Sequence, residues 1–465
     1  MVLAELARLD AHDQAALVAR GELSAGELFA AFRERLDALN PLLRAVVAHA
    51  DAPPPALPGP LAGVPFLVKD SLPWPGLRWA MGSRAFSGQV PRSGTRLTRR
   101  IAASGLVGAG KTALSEFGLL PSTETLLEGV THHPWDLSLS AGGSSGGSAV
   151  AVAAGLVPLA HANDGGGSIR IPASFAGVFG FKPSRGRTQR ASHGDTAFED
   201  LVVEHCVTRS VRDSALFLSL IEDDGAGERI GFVREPLNRP LRVALLERAA
   251  NGDEPAPAVL RVLRDSAELL EDLGHRIEPV TAPATGAEAL GPAVFLLAGA
   301  TIAGIVERLD RSRGVPVQED ELEPFTWGLL ARFEQADRAA LELAQETLAR
   351  AGRAYRSRTD ACDVVLTPVV ATEPWPLGFL SPLLKPDELI RRVASTNAFA
   401  PLANITGAPA MSVPLGESPG GLPIGVQLSA APGADALLLG LAYQLEAARP
   451  WRDRWPPYSI PGLAK

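Results

Sequence analysis

Apolar and polar positions follow a helical period at the start of the chain and a mixed pattern after it. Residues 4–48 predict two or three amphipathic helices, and Ser24 followed by Glu27 forms a capping-box pattern within them. From about residue 61 to about residue 220, short apolar runs typical of strands alternate with helical stretches and glycine clusters. This alternation predicts an α/β fold, with a mostly parallel or mixed sheet and helices on both faces.

The second half of the chain continues the same alternation. Its predicted elements are helices at 257–274 and 336–359, strands at 276–280 and 363–368, and a turn with a strand over 420–428. No internal repeat and no disordered linker is visible. We therefore expect one large domain over residues 1–465, with an N-terminal helical segment over 1–50 and a core over about 61–220.

One stretch of the chain has the composition of a short membrane span. Residues 289–306 carry no charge over 18 positions, which is the lower edge of the length that crosses a bilayer. Small residues and a proline interrupt this stretch, among them Gly291, Pro292, Gly299 and Gly304. These features favour a buried helix of the core, and we expect no membrane partner.

The amino-acid composition favours a soluble enzyme over a nucleic-acid-binding protein or a disulfide-rich protein. Of the 465 residues, 46% are hydrophobic and 21% are charged, which is typical of a soluble globular enzyme. The net charge of −8 disfavours a nucleic-acid-binding protein. Cys206 and Cys362 are too few for a disulfide scaffold or a cysteine-rich metal site. This cysteine content, and charges spread through the first 20 residues, predict a cytoplasmic protein.

Three residues carry the candidate chemistry of the chain. Lys69 ends an apolar run, Ser144 lies in the glycine-serine run 142–148, and Ser168 lies in the glycine-rich run 164–170. Ser168 follows Ser144 by 24 residues. A buried lysine and two glycine-flanked serines can together form an activated nucleophile. The pattern predicts acyl transfer on an amide or ester without a metal or a histidine.

The second glycine cluster predicts an oxyanion site. Consecutive glycines allow a tight turn that directs several backbone N–H groups at one point, where they stabilise a tetrahedral intermediate. The glycines before Ser168 are Gly165, Gly166 and Gly167. A phosphate-binding turn is the alternative and would need a nearby basic residue. Arg170 is one candidate, although pairing with Asp164 to brace the turn is the interpretation that we favour.

Lys69 is a candidate catalytic residue only if its side chain is buried, because most lysines are solvated and protonated. Six uncharged residues precede it, and an ammonium at the end of a buried strand loses hydration, which lowers its pKa. A lysine that is neutral near pH 7 can act as a general base. Asp70 could instead form an ion pair with Lys69, and the sequence leaves both arrangements open.

The run at 142–147 also contains the G-x-S-x-G pattern of an α/β-hydrolase nucleophile, centred on Ser144 or Ser145. Such hydrolases place an acid and then a histidine after the serine. The last of the eight histidines is His275, so none lies in the final 190 residues. This distribution disfavours a histidine-based triad.

Residues 105–112 match the pattern of a phosphate-binding loop, ending in Lys111 and Thr112. A phosphate-binding loop follows a strand and begins a helix. Here residues 96–104 predict a helix and the residues after Gly105 predict a strand, so the order is reversed. A nucleotide-binding protein using this loop remains a less favoured alternative.

Taken together, these segments resemble the amidase signature family. The resemblance rests on the two serine-glycine runs, the Lys69-Asp70 pair and four further segments, at 110–118, 180–184, 404–409 and 422–427. It covers essentially the whole chain. It implies a single α/β/α domain around a twisted mixed sheet, with no metal and no organic cofactor.

The resemblance also implies roles for individual residues. Ser168 resembles the nucleophile that forms the acyl-enzyme, Ser144 the middle serine held by a cis peptide, and Lys69 the catalytic lysine. The apolar residues of a segment near the acyl pocket would then be Phe117, Leu119 and Leu120. These side chains predict a small neutral or apolar amide as the substrate. An inactive binding protein on the same scaffold, and a homodimer, both stay open.

The chain departs from the common pattern of this family in three segments. Ala162-Asn163-Asp164-Gly165 replaces the more common Gly-Thr-Asp-Thr before the last glycines. Ala113 replaces the usual asparagine after Gly-Lys-Thr, and His133 replaces the usual asparagine before Pro134. The resulting sequence looks like the branch that contains 6-aminohexanoate cyclic dimer hydrolases. It looks less like the amidotransferase subunits that act on glutamine.

Overall fold

A mixed sheet of eleven strands runs through the molecule, which the computed structural model describes over residues 3–191, 196–225, 227–249, 252–282 and 286–463. In chain order the strands are β1 Val46–His49, β2 Pro65–Lys69, β3 Val107–Thr112, β4 Glu124–Thr125, β5 Gly129–Val130, β6 Leu159–Asp164, β7 Phe179–Lys182, β8 Val203–Thr208, β9 Arg242–Leu245, β10 Arg276–Pro279, β11 Val364–Pro368, β12 Ala410–Glu417 and β13 Pro423–Ala430. Strands β4 and β5 form a separate two-stranded sheet.

The order of the large sheet is β1-β3-β2-β6-β8-β7-β12-β13-β11-β9-β10. Strands β3, β2 and β6 are parallel neighbours, and so are β11, β9 and β10. The other neighbouring pairs are antiparallel. The prediction of a mixed sheet is therefore confirmed, and strands from both halves of the chain belong to it.

Helices cover both faces of this sheet. In chain order they are α1 Leu3–Arg8, α2 Ala11–Ala19, α3 Ala25–Leu43, α4 Arg96–Ala103, α5 Gly146–Ala153, α6 Arg170–Ala176, α7 Val211–Ile221, α8 Pro257–Asp272, α9 Ala287–Arg313, α10 Pro324–Glu334, α11 Arg338–Thr359, α12 Pro386–Thr396, α13 Pro401–Thr406, α14 Asp435–Ala448 and α15 Ile460–Leu463. The predicted capping box is present at the start of α3, where Ser24 and Glu27 each accept the other's backbone N–H.

The side chains of β2 alternate between the two layers of helices. Phe66 and Val68 belong to the core that contains residues of α4 and α7, whereas Leu67 belongs to the core that contains residues of α3 and α5. Successive side chains of a strand point to opposite faces of the sheet. Lys69 therefore lies on the same face as Leu67, which is the face covered by α5.

Helix α9 contains the uncharged stretch 289–306. It packs against α10, α11 and α12, and it contributes Phe295 and Ile302 to a third apolar core. By length and composition it is the one helix of the described ranges that could cross a membrane, and 39% of its most apolar part is buried. The predicted packing in the core is confirmed, but the burial is partial. Leu290 and Val294 instead line a cavity.

Candidate active site

The carboxyl ends of β2 and β6 lie side by side, because these two strands are parallel neighbours. Lys69 is the last residue of β2, and Asn163 and Asp164 end β6. Ser144 and Ser168 lie just before the first turns of α5 and α6. The topology therefore brings the three predicted residues together at the carboxyl ends of these strands. Ligand sites in α/β folds often lie at this position.

Lys69 and Ser144 form a buried hydrogen-bonded pair. Neither side chain has more than 1% of its surface exposed, and the Nζ atom of Lys69 lies 2.7 Å from the Oγ atom of Ser144. The peptide between Gly143 and Ser144 is cis, as the resemblance implies. Lys69 Nζ also donates to Asn163 Oδ1 at 2.5 Å. Two neutral acceptors thus hold the amine in a fixed direction.

Burial lowers the pKa of Lys69 to about 7. The negative charges of Glu204 and Asp164 act in the opposite direction, because they favour the protonated amine. At neutral pH a substantial fraction of the amine is therefore unprotonated. The predicted lowering of the Lys69 pKa agrees with this environment, and its cause is loss of hydration.

Asp70 forms its ion pair with Lys111 and not with Lys69. The Asp70 Oδ1 atom lies 3.3 Å from Lys111 Nζ, and Lys111 also donates to the carbonyl oxygen of Leu72 at 2.5 Å. Lys111 is fully buried within β3. A phosphate-binding loop needs its lysine exposed to the nucleotide, so the alternative of a nucleotide-binding loop over residues 105–112 is wrong.

Asp164 and Arg170 brace the turn that carries Ser168. Arg170 donates through Nε and Nη2 to the two carboxylate oxygens of Asp164, at 2.9 and 2.8 Å, and both side chains are fully buried. Burial alone would raise the pKa of Asp164, but the guanidinium of Arg170 holds it well below its usual range. The predicted brace is confirmed. It leaves Arg170 committed to a carboxylate rather than available to a phosphate.

The carboxylate of Asp164 also accepts a hydrogen bond from one of the predicted oxyanion donors, the N–H of Gly167. The backbone N–H of Gly167 donates to Asp164 Oδ1 at 2.7 Å, and the carbonyl of Gly166 accepts from Asn397 Nδ2 at 2.8 Å. The peptide between these glycines is thus held at both ends, with its N–H directed at the carboxylate of Asp164. We therefore correct the prediction for Gly167, because its N–H already has a charged partner.

Gly167 serves the turn through its backbone conformation. Its φ angle is +119°, and a Cβ atom there would lie 2.8 Å from side-chain atoms of Ala400 and Ile171. Only glycine combines this conformation with such a close approach. The backbone N–H groups of Gly165, Gly166 and Ser168 remain the candidates for an oxyanion site.

A cavity of about 380 Å³ opens beside the two serines. Ser144 and Ser168 both line it, and so do Phe117, Leu119 and Leu120, the apolar residues that the sequence analysis expects near an acyl pocket. The rest of the wall is largely apolar, and its residues from α9, α12 and α13 include Leu290, Val294, Phe295, Val393, Leu402 and Ile405. Volume and lining are typical of a site for a small organic molecule.

Sequence reasoning missed several groups around this site. Glu204 and Asn397 were not singled out, because isolated acids and amides carry no motif. Asn163 was noted only as a departure from a family pattern. Glu288 and Arg391 are the charged residues among the described residues that line the cavity. The absence of charge over 289–306 was the one feature of the sequence that could have indicated an apolar cavity wall formed by α9.

Within the described residues, no histidine side chain is hydrogen-bonded to Ser144, Ser145 or Ser168. His193 lies outside those residues. His161 and His133 are fully buried and pair with Glu204 and with the carbonyl of Phe175. No group of three or more metal-ligating side chains occurs in the described part of the chain.

Comparison with known proteins identifies the family to which this sequence is similar. The family model named Amidase matches residues 30–439. The AmiC protein of Mycobacterium leprae is 38% identical over 458 residues, covering 96% of each chain. A 6-aminohexanoate-cyclic-dimer hydrolase of Paenarthrobacter ureafaciens is 35% identical over 489 residues, again covering 96% of each chain.

The solved structures agree with this result. The structure of 6-aminohexanoate cyclic dimer hydrolase complexed with substrate matches with a TM-score of 0.88 at 31% identity, covering 97% of this chain and 99% of that one. The match therefore extends over nearly the whole fold. The chain therefore belongs to the amidase family, and it is a hydrolase that acts on carbon–nitrogen bonds other than peptide bonds.

Proposed function

We propose that this amidase works through an acyl-enzyme on Ser168, with Ser144 and Lys69 carrying the proton. The observation that carries the proposal is the buried contact of 2.7 Å between Lys69 Nζ and Ser144 Oγ. That contact lies beside a cavity that both serines line. A buried amine with a pKa of about 7 can accept a proton from a hydroxyl, which a solvated lysine cannot do efficiently near neutral pH.

In the proposed reaction, unprotonated Lys69 accepts the proton of Ser144 while Ser144 accepts the proton of Ser168. The oxygen of Ser168 then bonds to the amide carbon. When the tetrahedral intermediate collapses, the C–N bond breaks and the proton returns through Ser144 to the leaving amine. Water next attacks the ester by the same proton path, releasing the acid and restoring the serine.

The backbone N–H groups of Gly165, Gly166 and Ser168 would stabilise the negative oxygen of each intermediate. The Asp164–Arg170 brace supports this assignment, because it fixes the turn from behind. Donors that are already oriented spend no energy on reorganisation during the reaction. Loss of one such donor typically costs about 10²–10³ in rate.

The substrate that we propose is a small amide with a neutral or apolar acyl part. Support comes from the apolar wall that includes Phe117, Leu119 and Leu120. The relatives that act on 6-aminohexanoate cyclic dimer make a cyclic amide of this kind one candidate. A panel of aryl anilides, aliphatic primary amides, cyclic lactam dimers and peptide amides tests this. A strong preference for charged acyl groups would contradict it.

The nucleophile is tested by combining Ser168→Ala with a fluorophosphonate probe. We expect the wild type to be labelled on Ser168, and the variant to lose both labelling and amide turnover. Ser138→Ala is the matched control, because Ser138 is exposed and lies outside the cavity. Turnover retained by Ser168→Ala would refute the assignment. Folded wild type without labelling would favour an inactive binding protein.

A further inference from the structure

A chain of polar side chains leads from Lys69 into the sheet, through half-buried Asn163 to the buried Glu204 and His161. Asn163 Oδ1 accepts from Lys69, and Asn163 Nδ2 lies 3.5 Å from Glu204 Oε1. Glu204 Oε2 in turn lies 2.9 Å from His161 Nε2. Asn163 and Glu204 are directly opposite each other in the antiparallel pair of β6 and β8. Backbone pairing of the two strands therefore fixes the spacing between the Asn163 and Glu204 side chains.

The orientation of the Asn163 amide follows from its neighbours. Its nitrogen donates to Ser71 Oγ at 3.2 Å and faces the carboxylate of Glu204, so its oxygen must face Lys69. The reversed amide would place N–H groups against the donor of Lys69 and an oxygen against a carboxylate. Glu204 thus determines which Asn163 atom meets the amine.

Glu204 also places a negative charge near Lys69 that other groups do not cancel. Its partners among the described residues are the amide of Asn163 and the imidazole of His161, and burial lowers the pKa of His161, which favours the neutral ring.

The other charges around Lys69 are already paired. Asp164 on β6 is neutralised by Arg170, and Lys111 on β3 is paired with Asp70. The carboxylate of Glu204 is therefore the charge facing Lys69 that has no cationic partner of its own among the described contacts.

We propose that Glu204, acting through Asn163, is a positioning residue that directs the amine of Lys69 toward Ser144 and favours its protonated form. This inference rests on the proposed role of Lys69 as the base. Glu204 does not touch the cavity, because it is absent from its lining. Its effect reaches the reaction through the orientation and the charge balance of Lys69.

Glu204→Gln removes the charge while keeping the shape and an oxygen for Asn163. Without the carboxylate the protonated amine is less stable, so the acid limb of kcat/KM moves to lower pH by roughly one unit. Asn163→Asp places a charge directly on Lys69 and moves the limb to higher pH by roughly one to two units. A merely structural role for either residue would lower the rate without opposite shifts.

Glu124→Gln is the matched control. Glu124 is also a buried glutamate, but its partner is the backbone N–H of Gly378, outside the network of Lys69. The limb should stay at its wild-type position in this variant. Thermal unfolding of each variant establishes that it is folded at the assay temperature.

A second readout measures Lys69 without catalysis. The chain has five lysines, so the carbon-13 signals of labelled lysines can be followed during a pH titration and assigned by single substitutions. We expect the midpoint of Lys69 to fall in Glu204→Gln and to rise in Asn163→Asp. Unchanged midpoints in both variants would overturn the inference.

The two readouts separate the inference from the function on which it rests. If the titration midpoint of Lys69 and the acid limb of kcat/KM move together, the result supports both the coupling to Glu204 and the role of Lys69 as the base. Midpoints that move while the acid limb of kcat/KM stays fixed would support the coupling of Glu204 to Lys69. That same result would contradict the proposed role of Lys69 as the base.

Discussion

The acid limb of the pH–rate profile is the sharpest test of the proposed base. Lys69 has a pKa of about 7 because it is buried, and only its unprotonated form can accept the proton of Ser144. The unprotonated fraction is about one half at pH 7, about one tenth at pH 6 and about one hundredth at pH 5. We expect kcat/KM to fall by these factors and to reach a plateau above about pH 8.

Initial rates on a p-nitroanilide between pH 5 and pH 9, at constant ionic strength, give this profile. Lys69→Ala should lower the plateau by about 10²–10⁴, the usual contribution of a general base. The substitution removes a buried amine and leaves a cavity but no stranded charge, so we expect the variant to fold. Small primary amines added to Lys69→Ala should restore part of the rate.

A flat profile between pH 5 and pH 8 would refute the reasoning. So would a limb that survives in Lys69→Ala and disappears when one histidine is replaced. The control is the single replacement of each histidine, which should not abolish the limb. His161 is the histidine nearest to this network, through its contact with Glu204. Its replacement should at most displace the limb.

Three further predictions concern stability and the cavity. Burial and the neighbouring Glu116 raise the pKa of Glu323 from 4.5 to about 9. The folded protein thus keeps a proton that the unfolded chain loses, and stability should fall by about 1.4 kcal/mol per pH unit between these values. In urea unfolding, Glu323→Gln should lose less stability than the wild type between pH 6 and pH 8, while burial still raises the pKa of Glu116; equal pH dependence would contradict this. Arg170→Ala should lower the free energy of unfolding by about 3–5 kcal/mol, because Asp164 keeps a buried charge; a loss below 1 kcal/mol would contradict the brace. Phe117→Ala should raise KM roughly tenfold for an aryl-acyl amide but not for acetamide, because the wall loses aromatic surface; equal effects on both substrates would contradict this.

Local elements of the fold could be predicted well from the chain because they rest on short-range patterns. The helical period over 257–274 corresponds to α8, Pro257–Asp272, and the run at 363–368 corresponds to β11, Val364–Pro368. The reversed order at 96–112 correctly separated α4 and β3 from a phosphate-binding loop. Boundaries differ by one or two residues because helix ends depend on capping and packing.

Long-range pairing was the part that local patterns could not supply. The order of eleven strands depends on which edges meet in three dimensions, and no periodicity records it. The same limit applies to side chains. Asp70 directly follows Lys69, the last residue of β2, but it pairs with Lys111 of the neighbouring strand β3. A count of glycines likewise could not reveal that the N–H of Gly167 is bound by Asp164.

The pairing of charges at this edge of the sheet explains how a buried lysine can have a pKa near neutrality. A carboxylate in contact would keep the amine protonated. Asp70 follows Lys69 in the chain, and Asp164 ends the neighbouring strand β6. Each is instead committed to another cation, Asp70 to Lys111 and Asp164 to Arg170. The direct partners of Lys69 are a hydroxyl and an amide oxygen, which carry no charge. Burial can then lower its pKa, and a proton can pass between the amine and a serine at neutral pH.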